Sequence, residues 1–250
     1  MNIDPKKGER EYFARIGAAG VEQSTRKPFG DDACSMMLAN LDALFHFLAA
    51  PPAHLIEFGC GVGWLSLLLA QRGYEVTGVD ISPEAIAAAE KQSRERNLTN
   101  ARFLVGDYEG FTPAESYDYA LFYDSLHHAE DELTAVRCAF DALRPGGAMI
   151  AFEPRHGHSL TATSQNAVKE FGVHEKDMPP DYIARLGRQV GFARHLILPR
   201  SHEVMRSLYR PSYRRGTSVF DLKMLLLLSK LRAVRRLFSR SDEHFIVLWK

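Results

Sequence analysis

The stretch LIEFGCGVGWLSLLLAQRG, Leu55–Gly73, decides how this chain folds. With His54 ahead of it, HLIEF is an apolar run of strand length. GWLSLLLAQRG carries leucine at helical spacing and closes on Gly73, a residue suited to ending a helix. Between them stand three alternate glycines, Gly59, Gly61 and Gly63. A strand, a glycine turn and a helix make a cradle for a nucleotide-like cofactor. Two familiar cofactors fail on residue type. A dinucleotide turn needs G-x-G-x-x-G, and the third glycine is replaced here by Trp64. A triphosphate loop ends in Gly-Lys-Ser/Thr, and no lysine is near. What remains is E-x-G-x-G-x-G, with Glu57 two residues before the first glycine. A carboxylate beside the turn suits a cationic cofactor without phosphate.

Outward from this turn, strand and helix patterns alternate. YEVTGVD is a strand ending at Asp80. SPEAIAAAEKQSRERN is a helix with Ser82 as cap and Pro83 at its first position. ARFLVGD is a third strand, ending at Asp107, and YDYALFYD a fourth. A helix is expected from about Asp131 to Leu143, then the turn RPGG and a fifth strand, AMIAFEP. DYIARLGRQVGF reads as a helix, ARHLILPR as a sixth strand and HFIVLWK as a seventh. Ahead of the first strand, Asp31 to Ala50 reads as an amphipathic helix capped by Asp31 or Asp32 and stopped by Pro51-Pro52. Strands alternating with helices in this way imply a parallel sheet covered on both faces. Ligands of such sheets lie beyond the carboxyl ends of the strands, so Glu57, Asp80 and Asp107 should point into one crevice. Asp80 can accept hydrogen bonds from ribose hydroxyls there.

These segments together resemble a class I S-adenosylmethionine-dependent methyltransferase of the small-molecule group. EFGCGVG, GVDIS, VGDYE, YDYALFYDSLHHAED and LRPGGAMIAFEP match that family's motifs in order, from Leu55 to Pro154. The resemblance implies a doubly wound α/β fold: a seven-stranded, mostly parallel Rossmann-like sheet with an antiparallel last strand and helices on both faces. It implies S-adenosylmethionine as cofactor. Glu57, Gly59, Cys60 and Gly61 would follow its methionine part, Asp80 its ribose and Ile81 its adenine. Asp107 would accept from the adenine amino group, Tyr108 would lie nearby, and the Tyr123 backbone would meet the ammonium. Residues 1–50 resemble the variable helical lid of such enzymes, with Tyr12 and Phe13 able to close over the cofactor. Residues 51–250 form the methyltransferase domain.

Methyl transfer from a sulfonium is an in-line displacement, so alignment, exclusion of water and removal of a proton are the tasks left to the protein. His127 and His128, after the fourth strand, are the candidate general bases, since imidazole titrates near neutral pH. The same pair could instead pack or cap the following helix. His156 and His158 follow the fifth strand and could line the acceptor pocket. No metal site is expected, because no carboxylate stands at matching spacing.

The expected acceptor is a small molecule, of saccharide, secondary-metabolite or lipid-linked type, methylated on oxygen or nitrogen. The alternatives are RNA, or a protein that binds the cofactor without catalysis. DNA is not expected: YDSL stands where amino-directed DNA enzymes carry an Asn/Asp-Pro-Pro-Tyr motif. Across all 250 residues the formal net charge is zero, with 46% hydrophobic and 25% charged residues, so no whole-molecule attraction to a polyanion operates. Residues 201–241 form a basic segment before the last strand, and their leucine-and-base helix pattern, 221–240, suits contact with a membrane surface or a lipid-linked acceptor. A cap with solvated arginines is the plainer reading. Cys34, Cys60 and Cys138 make no pairable set, and the N-terminus lacks the apolar core of a secretion signal, so a cytoplasmic location is expected.

Overall fold

A computed structural model describes residues 4–202 and 244–250, and between them residues 205–206, 218, 223–224, 226–231 and 234. Seven strands form one sheet: β1 (His54–Phe58), β2 (Glu75–Asp80), β3 (Ala101–Val105), β4 (Tyr117–Tyr123), β5 (Leu143–Phe152), β6 (Arg194–Pro199) and β7 (His244–Trp249). Their order is β3-β2-β1-β4-β5-β7-β6. The first five pair in parallel, and β7 runs antiparallel to both β5 and β6. This is the doubly wound, mostly parallel sheet expected from the sequence, with the reversed last strand inserted beside β5.

The central strands are buried on both faces, which explains their near-continuous apolar runs. Successive residues of β1 serve opposite layers. Ile56 and Phe58 belong to a core cluster with Phe122, Val136, Met149 and Ile183. Leu55 belongs to a second cluster with Leu44, Leu65, Leu69, Ile150 and Val247. The covering helices are α1 (Lys7–Thr25), α2 (Cys34–Phe45), α3 (Trp64–Arg72), α4 (Pro83–Glu95), α5 (Glu132–Ala142), α6 (Ala162–Phe171) and α7 (Pro180–Val190). Ser82 caps α4 by accepting from the Ala85 amide, and Asp131 caps α5 by accepting from Leu133 and Thr134.

Two of the helices differ from the sequence reading. The helix expected over Asp31–Ala50 is shorter, Cys34–Phe45. At its start Asp31 Oδ1 accepts the Ala33 amide in a turn, and beyond its end the Ala49 amide donates to the Tyr119 hydroxyl at 2.8 Å. The N-terminal stretch forms the long helix α1, broken at Gly17, whose φ is 67°. Helix α6 was not foreseen; only Ser164 of it is buried, so it carries no apolar stripe to read. Most of residues 201–241 lie outside the described residues; 223–224, 226–231 and 234 are helical. Among the described residues no helix is long and apolar enough to cross a membrane.

Candidate cofactor and acceptor site

The loop after β1 is shaped by backbone geometry that disfavours side chains. Gly59, Gly61 and Gly63 all have positive φ, 71°, 53° and 77°. The amides of Gly59 and Cys60 both donate to Val79 O, at 2.8 and 3.1 Å, which ties the loop to the end of β2. Asp80 fixes it further. Its Oδ2 accepts from the Gly61 amide at 2.7 Å and its Oδ1 from the Ser82 amide at 2.9 Å. Each carboxylate oxygen keeps a lone pair for a ligand hydroxyl. Burial pushes the Asp80 carboxyl above its usual range, against these two amides.

Glu57 is only 2% exposed, at the floor of the cavity, and accepts from the Ser66 hydroxyl. Burial pushes its carboxyl up to about 8, with the Ser66 bonds offsetting only part of that. A buried carboxyl without a cation partner favours its neutral form, and a cationic ligand reverses the preference. Cys60 is buried with its Sγ directed to Gly61 O at 3.6 Å, and burial pushes its thiol well up. It is a small residue in a tight turn, not a nucleophile.

Along the strand ends, Asp107 pairs with Lys6 Nζ at 2.6 Å, and Lys6 also reaches Glu109 at 2.8 Å. The Tyr108 hydroxyl donates to Ser125 O at 3.0 Å. Tyr123 takes a hydrogen bond from Asn40 at 3.0 Å and meets Trp64 edge to face. Asp124 follows with φ 55°, a left-handed conformation for a residue with a side chain, and borders the cavity.

After β4 the chain makes a short 3-10 turn, Leu126–His128. Glu153, 3% exposed at the end of β5, holds this turn. Its Oε1 accepts the Ser125 and Leu126 amides at 3.0 and 2.9 Å, and its Oε2 accepts the His127 amide at 3.3 Å. The same Oε2 stands 2.8 Å from His127 Nδ1. A carboxylate only accepts, so Nδ1 carries a proton, and the ring's remaining nitrogen, Nε2, is the one left to meet a ligand. His127 Nε2 lies 3.9 Å from Glu175 Oε2, which is 2.6 Å from His158 Nε2.

His128 is placed differently. Its Nδ1 bonds the His174 carbonyl at 2.5 Å, and Glu9 of α1 lies 3.6 Å away. Burial alone would lower its pKa, but the nearby Glu9 carboxylate outweighs burial and raises it to about 9. Near neutral pH His128 is an imidazolium held by Glu9. Glu9 also accepts the His174 amide at 2.6 Å, so α1 is anchored over the strand ends. Phe13 of α1 overhangs Gly61, and Tyr12 packs edge to face on Phe13 and on Phe171.

The cavity measures about 590 Å³, within the range of small-ligand pockets. Glu57, Gly59, Cys60, Gly61, Asp80, Ile81, Asp107, Tyr108, Tyr123, His127 and His128 all border it, so the residues singled out in the sequence converge on one space. His158 joins them, whereas His156 is exposed and is not among the lining residues. Glu9, Glu153 and Glu175 escaped the sequence reading, because nothing local to them marks them.

A sequence-family model described as methyltransferase domain matches residues 55–147. A curated relative, the S-adenosyl-L-methionine-dependent Diels-Alderase iccD of Talaromyces variabilis, is 32% identical over 130 residues, 50% of this chain and 44% of that protein. The ubiquinone biosynthesis O-methyltransferase of Xanthomonas campestris pv. campestris is 31% identical over 112 residues, 44% of this chain and 46% of its own length. The chain thus spans less than half the length of these relatives. Among solved structures, phosphoethanolamine N-methyltransferase 2 of Haemonchus contortus superposes with a TM-score of 0.67 at 15% identity, covering 99% of this chain and 61% of that one. At that identity the likeness concerns the fold. Residues 55–147 of the chain thus carry a methyltransferase domain.

Proposed function

We propose that the protein transfers the methyl group of S-adenosylmethionine to an oxygen or nitrogen of a small-molecule acceptor. The observation that carries this reading is the acid-lined cradle. Glu57 lies buried and pairs with no cation among the described residues, and Asp80 and Asp107 follow at the next two strand ends around the same cavity. Such a cradle suits a ligand with a sulfonium and an ammonium, and the carboxylates disfavour phosphates beside them. When bound, the cofactor supplies an activated methyl group. The protein aligns the acceptor, and α1 with Phe13 shields the site from water.

His127 suits the acceptor side, since Glu153 fixes its ring and leaves Nε2 directed to the cavity. His128, as an imidazolium, suits charge balance under the lid rather than base catalysis. The lining also favours a small acceptor over RNA. Glu9, Asp80, Asp107, Glu109, Asp124 and Glu175 border the cavity against Lys6, Lys27 and the His128 imidazolium, an acidic balance that repels a polyanion.

Calorimetric titration with S-adenosylmethionine and S-adenosylhomocysteine tests the cofactor, and failure of both to bind overturns the reading. Transfer of labelled methyl to a panel of phenols, catechols and amines tests the chemistry. A second reading, a cofactor-binding enzyme of another reaction, is supported by the iccD relative. Tight cofactor binding without label transfer to any acceptor favours it.

A further inference from the structure

The wall of the cavity gathers ligand atoms from three separate segments. His127 comes from the turn after β4, His158 from the 3-10 turn His158–Leu160 after β5, and Glu175 from the connection between α6 and α7. One ligand atom from each lies within 4.8 Å of the other two, and among the described residues this cluster alone does so. We propose that His127, His158 and Glu175 bind one divalent first-row transition-metal ion of the zinc, iron or cobalt kind in this wall.

Two imidazoles and one carboxylate are a donor set for borderline ions and a poor one for magnesium or calcium, which take oxygen ligands. Bonds of about 2.1 Å in tetrahedral arrangement hold donor atoms roughly 3.4 Å apart. His127 Nε2 and Glu175 Oε2, at 3.9 Å, are near that spacing already. His158 Nε2 and Glu175 Oε2, at 2.6 Å, share a hydrogen bond whose proton an ion would replace.

A second observation points the same way. Metal-binding histidines characteristically donate their other ring N–H to a carboxylate, which fixes the ring and raises its basicity. His127 does this with Glu153, at 2.8 Å, with both groups fully buried and Nε2 turned to the cluster. The carboxylate that completes the set is 17 residues beyond His158 in sequence, which is why ligand spacing gave no signal.

Three protein ligands leave coordination positions facing the cavity, as in catalytic rather than structural sites. Those positions suit an oxygen or nitrogen of the acceptor. That last clause rests on the methyl-transfer reading; the ion's binding does not.

The test uses chelator-stripped full-length protein without S-adenosylmethionine, titrated with cobalt(II) by visible absorption and with zinc(II) by calorimetry. The expected result is one ion per chain, with ligand-field bands of a low-coordinate site. H158Q and E175Q should each weaken zinc binding by about 10-fold to 100-fold or more, and E153Q by about 10-fold. His158 and Glu175 are only partly buried, so circular dichroism spectra of these variants should match the parent and show that the fold is kept. Absence of any cobalt band or zinc heat overturns the proposal. So does undiminished one-to-one binding by the double variant H158Q/E175Q. Loss of cofactor binding in the parent protein would sink the methyl-transfer reading and leave the metal result standing.

Discussion

Glu153 Oε2 lies 2.8 Å from His127 Nδ1 while the same carboxylate accepts three successive backbone amides, those of Ser125, Leu126 and His127. One buried group at the end of β5 therefore sets both the path of the turn after β4 and the direction of the imidazole. Removing it with E153A leaves buried N–H donors without an acceptor. The expected loss is about 3 kcal/mol of stability, read from urea unfolding midpoints. E153Q keeps one carbonyl oxygen, so it should lose about 1–2 kcal/mol. If Glu153 positions His127, E153Q should also lower kcat more than it raises KM. Equal loss in E153Q and E153A, with kcat untouched in E153Q, would show that the carboxylate serves the fold alone.

A different prediction comes from Glu57. Its carboxyl, raised to about 8 by burial, is largely protonated near neutral pH. A cationic cofactor favours the carboxylate and lowers that pKa, so binding releases a proton. Affinity for S-adenosylmethionine should then climb as pH rises from about 6 toward 8, approaching about tenfold per pH unit well below the pKa. Calorimetry in two buffers of different ionisation enthalpy should register the released proton. The E57Q variant should bind more weakly and release none. An unchanged proton count in E57Q would place the titration elsewhere.

How much of this was legible beforehand follows from where each signal resides. The glycine turn, Glu57, Asp80 and Asp107 were readable because strand ends and turn residues mark them locally, and the sheet rule brings successive strand ends together. Glu9, Glu153 and Glu175 meet the histidines only through tertiary folding. Glu153 in particular looked like the last residue of an apolar strand. Helix α6 stayed hidden because it buries almost nothing, and the end of α2 because a hydroxyl from β4 captures the Ala49 amide. The two histidines were found as a pair, but their opposite settings, one turned by Glu153 and one charged by Glu9, needed partners remote in sequence.

The pairing of His128 with Glu9 makes attachment of α1 depend on pH. His128 rises from 6.5 to about 9 in the folded protein. A raised pKa contributes stability that is fully present below about 6.5 and is lost as pH climbs through 9. Glu9 moves the other way: burial opposes its charge, but the nearby His128 cation and the His174 amide outweigh it and hold the carboxyl below 4.5. Its contribution is present above that value and fades in acid. Helix α1 should therefore be held most firmly between about pH 5 and 7, by on the order of 2 kcal/mol. Hydrogen exchange of α1 amides, corrected for intrinsic rates, should accelerate from pH 7 to 9.5. In E9Q that extra acceleration should vanish; its persistence would mean that another group anchors the helix.

The glycine loop offers a comparison of two neighbouring substitutions. At Gly59 an added Cβ would stand 2.5 Å from Ser125 Cβ and 3.1 Å from its Oγ. Ser125 cannot yield cheaply, because its hydroxyl donates to Phe58 O at 2.7 Å and its amide to Glu153. G59A should cost about 3 kcal/mol, from left-handed backbone strain together with the clash. At Gly61 the nearest atom to an added Cβ is Phe13 Cζ at 3.3 Å, the tip of a lid side chain that can move. G61A should cost only about 1 kcal/mol, from its φ of 53°. Its methyl group would point toward the lid over the cofactor path, so its main effect should be on S-adenosylmethionine affinity. Urea midpoints and cofactor titrations of the two variants separate these roles. G59A as stable as the parent would mean that the β1–β4 junction is looser than the Ser125 bonds imply.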